Sequence, residues 1–244
     1  MGKGLWILMV FVAPALVWAG GNRSNGSFAK AKIKAAAIYS NLEQKTFYCG
    51  CDYQGKKTNL ASCGYTPRKN RDRANRIEWE HIVPAQAFGR SFKQWSEGDP
   101  ACNSNQGKPY KGRRCAEKVS EQYRLIQADL YNLVPAIGEV NGDRSNYSMA
   151  EIAGEKRAYG DCDIEIERSK VEPRPAIRGN IARTYLYMDQ AYPGREIISK
   201  ENQKLLEAWD REDPVDLQEC QRAVLIKKEQ GNKNPLLEQR CSKL

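Results

Sequence analysis

At 244 residues, 28% of them charged and 41% apolar, the chain can bury one substantial core, and its polarity excludes a protein built of membrane-spanning helices. Lysine and arginine outnumber aspartate and glutamate by 39 to 30, a formal net charge of +9. That excess points to an anionic partner, nucleic acid or a membrane surface, or simply to solubility. With no repeat and no Ser/Gly/Pro-rich linker, one domain is expected.

Residues 1–19 read as a secretory signal peptide: Lys3, an apolar run over 5–16, then Val17-Trp18-Ala19. Without them 38 basic residues face 30 acidic ones, and residues 20–244 form the expected domain, soluble and monomeric. Eight cysteines (Cys49, Cys51, Cys63, Cys102, Cys115, Cys162, Cys220 and Cys241) follow the leader, an even number that indicates four disulfides in an oxidising compartment. A zinc site is the rival reading, but Cys49 and Cys51 are separated by one residue and no second close pair exists. Cys102 with Cys115, and Cys220 with Cys241, bracket short segments and are the expected local pairs.

The expected domain opens with a helix over 28–42 whose apolar side carries Ile33, Ala37 and Tyr39. Residues 47–65, Gly-punctuated, read as short strands and turns. A basic run over 69–76 leads into a strand around Glu78, Trp79, Glu80 and His81 that ends near Pro84. Residues 90–118 read as a long polar loop with a basic patch over 108–114, and a loop of this length is more often functional than idle. Pro135 suits a helix's first turn, which predicts a helix over 136–143. Three helices follow over 176–190, from Ser199 through Trp209, and over 216–230 with Gly231 as terminator. Asn234-Pro235 starts a last short one. The fold class is α+β, richer in helix than in strand.

His81 is the only histidine. A neutral imidazole can deprotonate water near neutral pH, and Glu80 beside it offers a carboxylate to a hard cation. Adjacent strand residues point to opposite faces, so the pair shares a site only where the strand ends. An asparagine, Asn132 or Asn141, would complete the metal site; spacing does not choose between them. The bland alternative is a structural histidine in a disulfide-stapled interaction protein, or a basic protein that binds nucleic acid without cutting it.

Glu78-Trp79-Glu80-His81-Ile82-Val83-Pro84, with the run from Asn132-Leu133-Val134-Pro135 to Asn141-Gly142-Asp143-Arg144-Ser145-Asn146, resembles the bacterial endonuclease I family. The resemblance extends over nearly the whole of residues 20–244. It implies a ββα-metal motif surrounded by helices in a periplasmic or secreted nuclease. Such enzymes cut double- and single-stranded DNA, and often RNA, with little sequence preference, leaving 5′-phosphates. It further implies His81 as general base and one Mg²⁺, a site Mn²⁺ or Ca²⁺ can also occupy, held by Glu80 and Asn141. Asn132 then becomes structural. A loop arginine that stabilises the phosphate is expected at Arg113, or at Arg114. Arg71, Arg73, Lys111, Arg144 and Arg183 are the expected phosphate contacts, and activity is expected to fall as His81 protonates near its ordinary pKa of ~6.5.

Overall fold

The structure, a computed structural model, describes residues 20–154 and 156–244; the leader assigned to residues 1–19 lies outside them. Helix α1 (Phe28–Tyr39) begins where Ser27 accepts the Lys30 N–H. Its buried positions are Ala31, Ala35, Ile38 and Tyr39, one helical stripe at i, i+4 and i+7. Of the expected apolar side, Tyr39 is buried, but Ile33 is 72% exposed and Ala37 is exposed.

Next come a tight hairpin of β1 (Tyr53–Gln54) and β2 (Lys57–Thr58), the short helix α2 (Arg71–Ala74), and β3 (Ile77–His81). Four helices follow: α3 (Ala85–Gly89), α4 (Lys93–Ser96), α5 (Arg113–Val119) and α6 (Glu121–Gln127). The long loop expected over 90–118 is thus shorter. Its two ends are helical, and only the stretch between α4 and α5 is irregular. Pieces of four and seven residues are too brief to print a helical period on the sequence.

Strand β4 (Leu133–Ile137) pairs antiparallel with β3, Ile77 opposite Ile137 and His81 opposite Leu133. Pro135 therefore lies in a strand and not in a helix's first turn. Gly138 N–H donates to Arg76 O and Ile82 N–H to Asn132 O, which places the bonded pairs of the ladder at even positions of β3. Pro135 faces Trp79 at a non-bonded position, where its missing N–H costs no ladder bond. Helix α7 (Gly138–Arg144) follows directly, and the β3–β4–α7 unit is the strand–strand–helix frame of the site.

A three-stranded sheet of β5 (Ser148–Met149), β6 (Ile164–Glu167) and β7 (Lys170–Pro173), in the order β5-β7-β6, sits beside this frame. Helices α8 (Arg178–Ala191), α9 (Lys200–Glu212), α10 (Leu217–Gln230) and α11 (Pro235–Cys241) complete the fold. Gly231 ends α10 in the left-handed conformation, φ +89°, as its position in the sequence predicts. The core joins Leu133, Val134 and Val140 of the frame, with Ile82 and Val83 just past β3 and Phe88 of α3, to Ile181, Met188, Leu206 and Trp209 of the C-terminal helices.

All eight cysteines pair: Cys49–Cys162, Cys51–Cys63, Cys102–Cys115 and Cys220–Cys241, so both expected local bridges are present. Asp129, fully buried, ties α8 and α10 to the turn before β4. It accepts from the hydroxyls of Tyr187 (2.8 Å) and Tyr192 (2.5 Å) and from Gln230 Nε2 (2.9 Å), and caps the turn at Tyr131 N–H (3.0 Å).

Arg183 does not reach the surface. It is 1% exposed on α8, where Nε donates to Glu219 Oε1 at 3.0 Å and Nη1 to Asp210 at 3.2 Å and to Asp213 O at 2.7 Å. It cross-links three helices and is no phosphate contact. Breaking a buried pair strands the remaining charge, at a cost of about 3–5 kcal/mol. Arg183→Ala should therefore lower the urea midpoint by that equivalent and leave DNA affinity of the folded fraction unchanged; lost affinity at intact stability would refute this placement.

Candidate active site

Strand β3 ends at His81, which removes the geometric objection to a shared site. Glu80 and His81 line one cleft of about 710 Å³ together with Glu78, Arg113, Asn141 and Arg144. Lys32, Lys56 and Arg76, all exposed, line it as well. Just past β3, Asn132 locks the chain's exit: Val83 N–H donates to Oδ1 at 2.7 Å and Nδ2 donates to Val83 O at 3.0 Å. Both the oxygen and the nitrogen of this buried amide are engaged by the main chain, so Asn132 is structural.

His81 is 6% exposed. Its Nε2 lies 2.8 Å from Gln127 O. A carbonyl only accepts, so Nε2 carries the proton and Nδ1 is the basic atom of the neutral ring. Phe28, at the start of α1, packs on the imidazole with ring centres 4.8 Å apart. Burial, with the nearby Arg113 and Arg144 charges, pushes the His81 pKa down to about 3, against the Gln127 carbonyl, which favours the protonated ring. The ring is therefore neutral throughout the range in which a free histidine would charge.

That shift has a sign for stability. Between 6.5 and about 3 the unfolded chain takes up a proton here that the folded protein refuses, so stability is lost as pH falls through that window. In metal-free protein, urea midpoints measured from neutral pH down to about 4 should fall more steeply for the parent than for His81→Gln. Parallel slopes would contradict the burial argument. The acid limit of activity is likewise expected below the ordinary imidazole range, not at it.

Glu80 is 4% exposed. The Tyr48 hydroxyl donates to its Oε1 at 3.1 Å, and Arg144 Nη1 lies 3.1 Å from the same oxygen. Among the described side chains none donates to its Oε2. Burial pushes the Glu80 carboxyl up, and Arg144 and Tyr48 only partly pull it back. Arg144 is 1% exposed and also donates to the carbonyls of His81 and Ile82. It clamps the end of β3 and partly balances Glu80; it is not the phosphate contact expected of it, because its guanidinium is buried against these groups.

Asn141 projects from α7 one turn before Arg144, so both share a helix face. Its Nδ2 donates to Glu78 Oε2 at 3.1 Å. A carboxylate only accepts, so Glu78 fixes the amide and leaves Oδ1 as the acceptor. Glu78 is held in turn by Arg73 and by Arg76 Nη2 at 3.2 Å. Gly142 is what lets Arg73 in: a Cβ there would collide with its guanidinium. Arg73 thus serves this carboxylate beside the cleft. Arg71 and Lys111 are exposed and do not line the cleft.

Arg113, the first residue of α5, is half-buried. Nε donates to Gln127 Oε1 at 3.0 Å, and the guanidinium carbon lies 5.2 Å from the Phe28 ring centre. Among the described residues its terminal nitrogens have no hydrogen-bond partner. Arg114 is exposed, over Tyr110, and does not line the cleft.

The Endonuclease I family model matches residues 24–241. The chain belongs to the endonuclease I family. An extracellular deoxyribonuclease of Aeromonas hydrophila is 44% identical over 223 residues, covering 88% of this chain and 90% of its own. A periplasmic deoxyribonuclease of the same species is 41% identical over 222 residues, covering 88% and 86%. Endonuclease-1 of Buchnera aphidicola subsp. Acyrthosiphon pisum is 41% identical over 223 residues, covering 89% and 82%. The cleft and the buried groups behind it include residues that the sequence pattern does not single out. Phe28, Tyr48 and Gln127 reach the site across 53, 32 and 46 residues of chain, and no local periodicity marks such contacts. Lys32 and Lys56 carried a signal only as members of a basic excess.

Proposed function

We propose that this protein is an exported endonuclease that hydrolyses phosphodiester bonds of DNA, and of RNA, with little sequence preference and leaves 5′-phosphate ends. Family membership and the deoxyribonuclease names of its relatives support a periplasmic or secreted nuclease. The observation that carries the chemistry is a neutral histidine of fixed tautomer, in one basic-rimmed cleft with a buried carboxylate, an oriented amide and an arginine.

The donor set fits a hard divalent cation such as Mg²⁺. Glu80 offers a carboxylate oxygen and Asn141 an amide oxygen, one or two protein ligands being usual for this ion. Among the described residues no group of three or more His, Cys, Asp or Glu competes as a metal site. The burial of Glu80, only partly offset by Arg144, leaves that carboxylate with a remaining demand for positive charge. When bound, the ion would neutralise charge developing on the phosphate and on the leaving 3′ oxygen.

The rest is done by the protein's own groups. His81 Nδ1 accepts a proton from the attacking water while Gln127 O holds the other side of the ring. Arg113 turns its free nitrogens to the phosphate oxygens. Arg144 partly offsets the cost of charging the buried Glu80 carboxyl and holds the strand end in place. Lys32, Lys56 and Arg76 attract the flanking phosphates, which carry no sequence information.

The deciding experiment is supercoiled plasmid, and separately a structured RNA, incubated with pure protein and Mg²⁺ with and without a chelator, followed by analysis of the product ends. Nicking that chelator abolishes, with 5′-phosphate ends, is the expected result. Undiminished cutting in chelator, or binding without cutting, would overturn it. The rim yields a further expectation. Lys32→Ala and Lys56→Ala should each weaken duplex binding for all sequences alike and lower the slope of log affinity against log salt by about 0.9. A variant that changed which sequences bind would argue against phosphate contact.

A further inference from the structure

Gln127 is the last residue of α6, 1% exposed, and touches both groups that the proposed chemistry needs most. Its main-chain oxygen holds His81 Nε2 at 2.8 Å. Its side-chain Oε1 holds Arg113 Nε at 3.0 Å, and its Nε2 donates to Glu117 Oε1 at 3.2 Å. We propose that Gln127 is a positioning residue that yokes the base to the phosphate-facing arginine, and that its side chain keeps Arg113 from collapsing onto Glu117.

The main-chain half of the yoke follows from where the helix ends. Carbonyls in the last turn of a helix lack the usual N–H partner four residues on. For Gln127 that partner would be Tyr131 N–H, which Asp129 Oδ1 takes at 3.0 Å. The Gln127 oxygen is thereby left to the histidine.

The side-chain half is fixed by the character of its partners. Arg113 can only donate and the Glu117 carboxylate only accepts, so the amide has a single satisfied orientation. Arg113 and Glu117 stand four residues apart on α5, a spacing at which opposite charges meet on a helix surface. They do not pair here, because the Gln127 amide lies between them. Remove that amide and the guanidinium has a carboxylate within reach, in competition with the substrate phosphate.

The inference rests on the role proposed for Arg113, and the test separates the two. Rates on a plasmid substrate at saturating Mg²⁺ would be compared for the parent, Arg113→Ala, Gln127→Met and the Arg113→Ala/Gln127→Met double variant. Gln127→Met/Glu117→Gln would complete the set, with urea midpoints recorded for each. Arg113→Ala should lower kcat by about 10²-fold, the scale of one transition-state donor. Gln127→Met should lower kcat by about tenfold, the kinetic equivalent of one hydrogen bond to a charged group. On the Arg113→Ala background Gln127→Met should add no further loss, and Glu117→Gln should restore most of the rate to Gln127→Met by removing the competing charge. The acid limb of the pH–rate profile should stay where it is in Gln127→Met, since the main-chain oxygen remains. A parental kcat for Gln127→Met beside an impaired Arg113→Ala would overturn the yoke alone, as would losses that multiply in the double variant, the mark of a merely structural role. A parental kcat for Arg113→Ala would overturn both readings.

Discussion

Replacing His81 with alanine is expected to lower the rate of DNA cleavage by about 10²–10⁴-fold, the contribution of a positioned base, with duplex affinity near that of the parent. No second histidine exists in the chain to substitute. The groups proposed to hold the metal and the phosphate are supported independently of the ring: Glu80 by Tyr48 and Arg144, Asn141 by Glu78, Arg113 by Gln127. The Mg²⁺ concentration for half-maximal residual rate should therefore hardly move. A Mg²⁺ titration of cleavage, run beside a binding isotherm at fixed salt, reads both quantities. Near-parental turnover in His81→Ala would end the general-base reading.

Glu80→Ala is expected to be worse, because this carboxylate has two tasks. It is the proposed metal ligand, and it is also the counter-charge of a fully buried arginine. Its removal leaves Arg144 without a compensating charge, a loss of about 3–5 kcal/mol that corresponds to a drop in melting temperature of roughly 6–20 °C for a domain of this size. Activity should vanish at every Mg²⁺ concentration at which the variant is still folded. Glu80→Gln separates the tasks. It keeps an oxygen beside Tyr48 and Arg144, so it should recover part of the stability and little of the metal-dependent rate. If Glu80→Ala melted with the parent, the Arg144 pair would not be the support that its geometry implies.

The site was readable in the sequence where its parts are contiguous. Glu80 and His81 stand next to each other ahead of Pro84, and the strand does end there. Asn141 lies in a helix as expected, yet the helix starts at Gly138, because Pro135 takes a strand position that asks for no N–H. Arg144 and Arg183 looked like surface charges because a sequence does not display which carboxylates will be buried with them; Glu80 and Glu219 do so here. In α1 the sequence shows Tyr39 correctly but not the buried positions before it, for a related reason. Alanines at 31 and 35 bury as well as isoleucine does, and the bulkier Ile33 drew the apolar side toward itself. Phe28, Tyr48 and Gln127 were out of reach of any local pattern, since each meets the site through long-range contacts alone.

The acceptor that sets the tautomer of His81 is a main-chain oxygen. Every amino acid carries that atom, so no side-chain replacement at position 127 deletes it. Chance mutation at 127 should yield slow enzymes with the same pH behaviour, whereas changes at His81 yield dead ones. A screen for partial loss of nuclease activity would then collect alleles at residues that aim Arg113, and a screen for complete loss would return repeatedly to Glu80 and the single histidine.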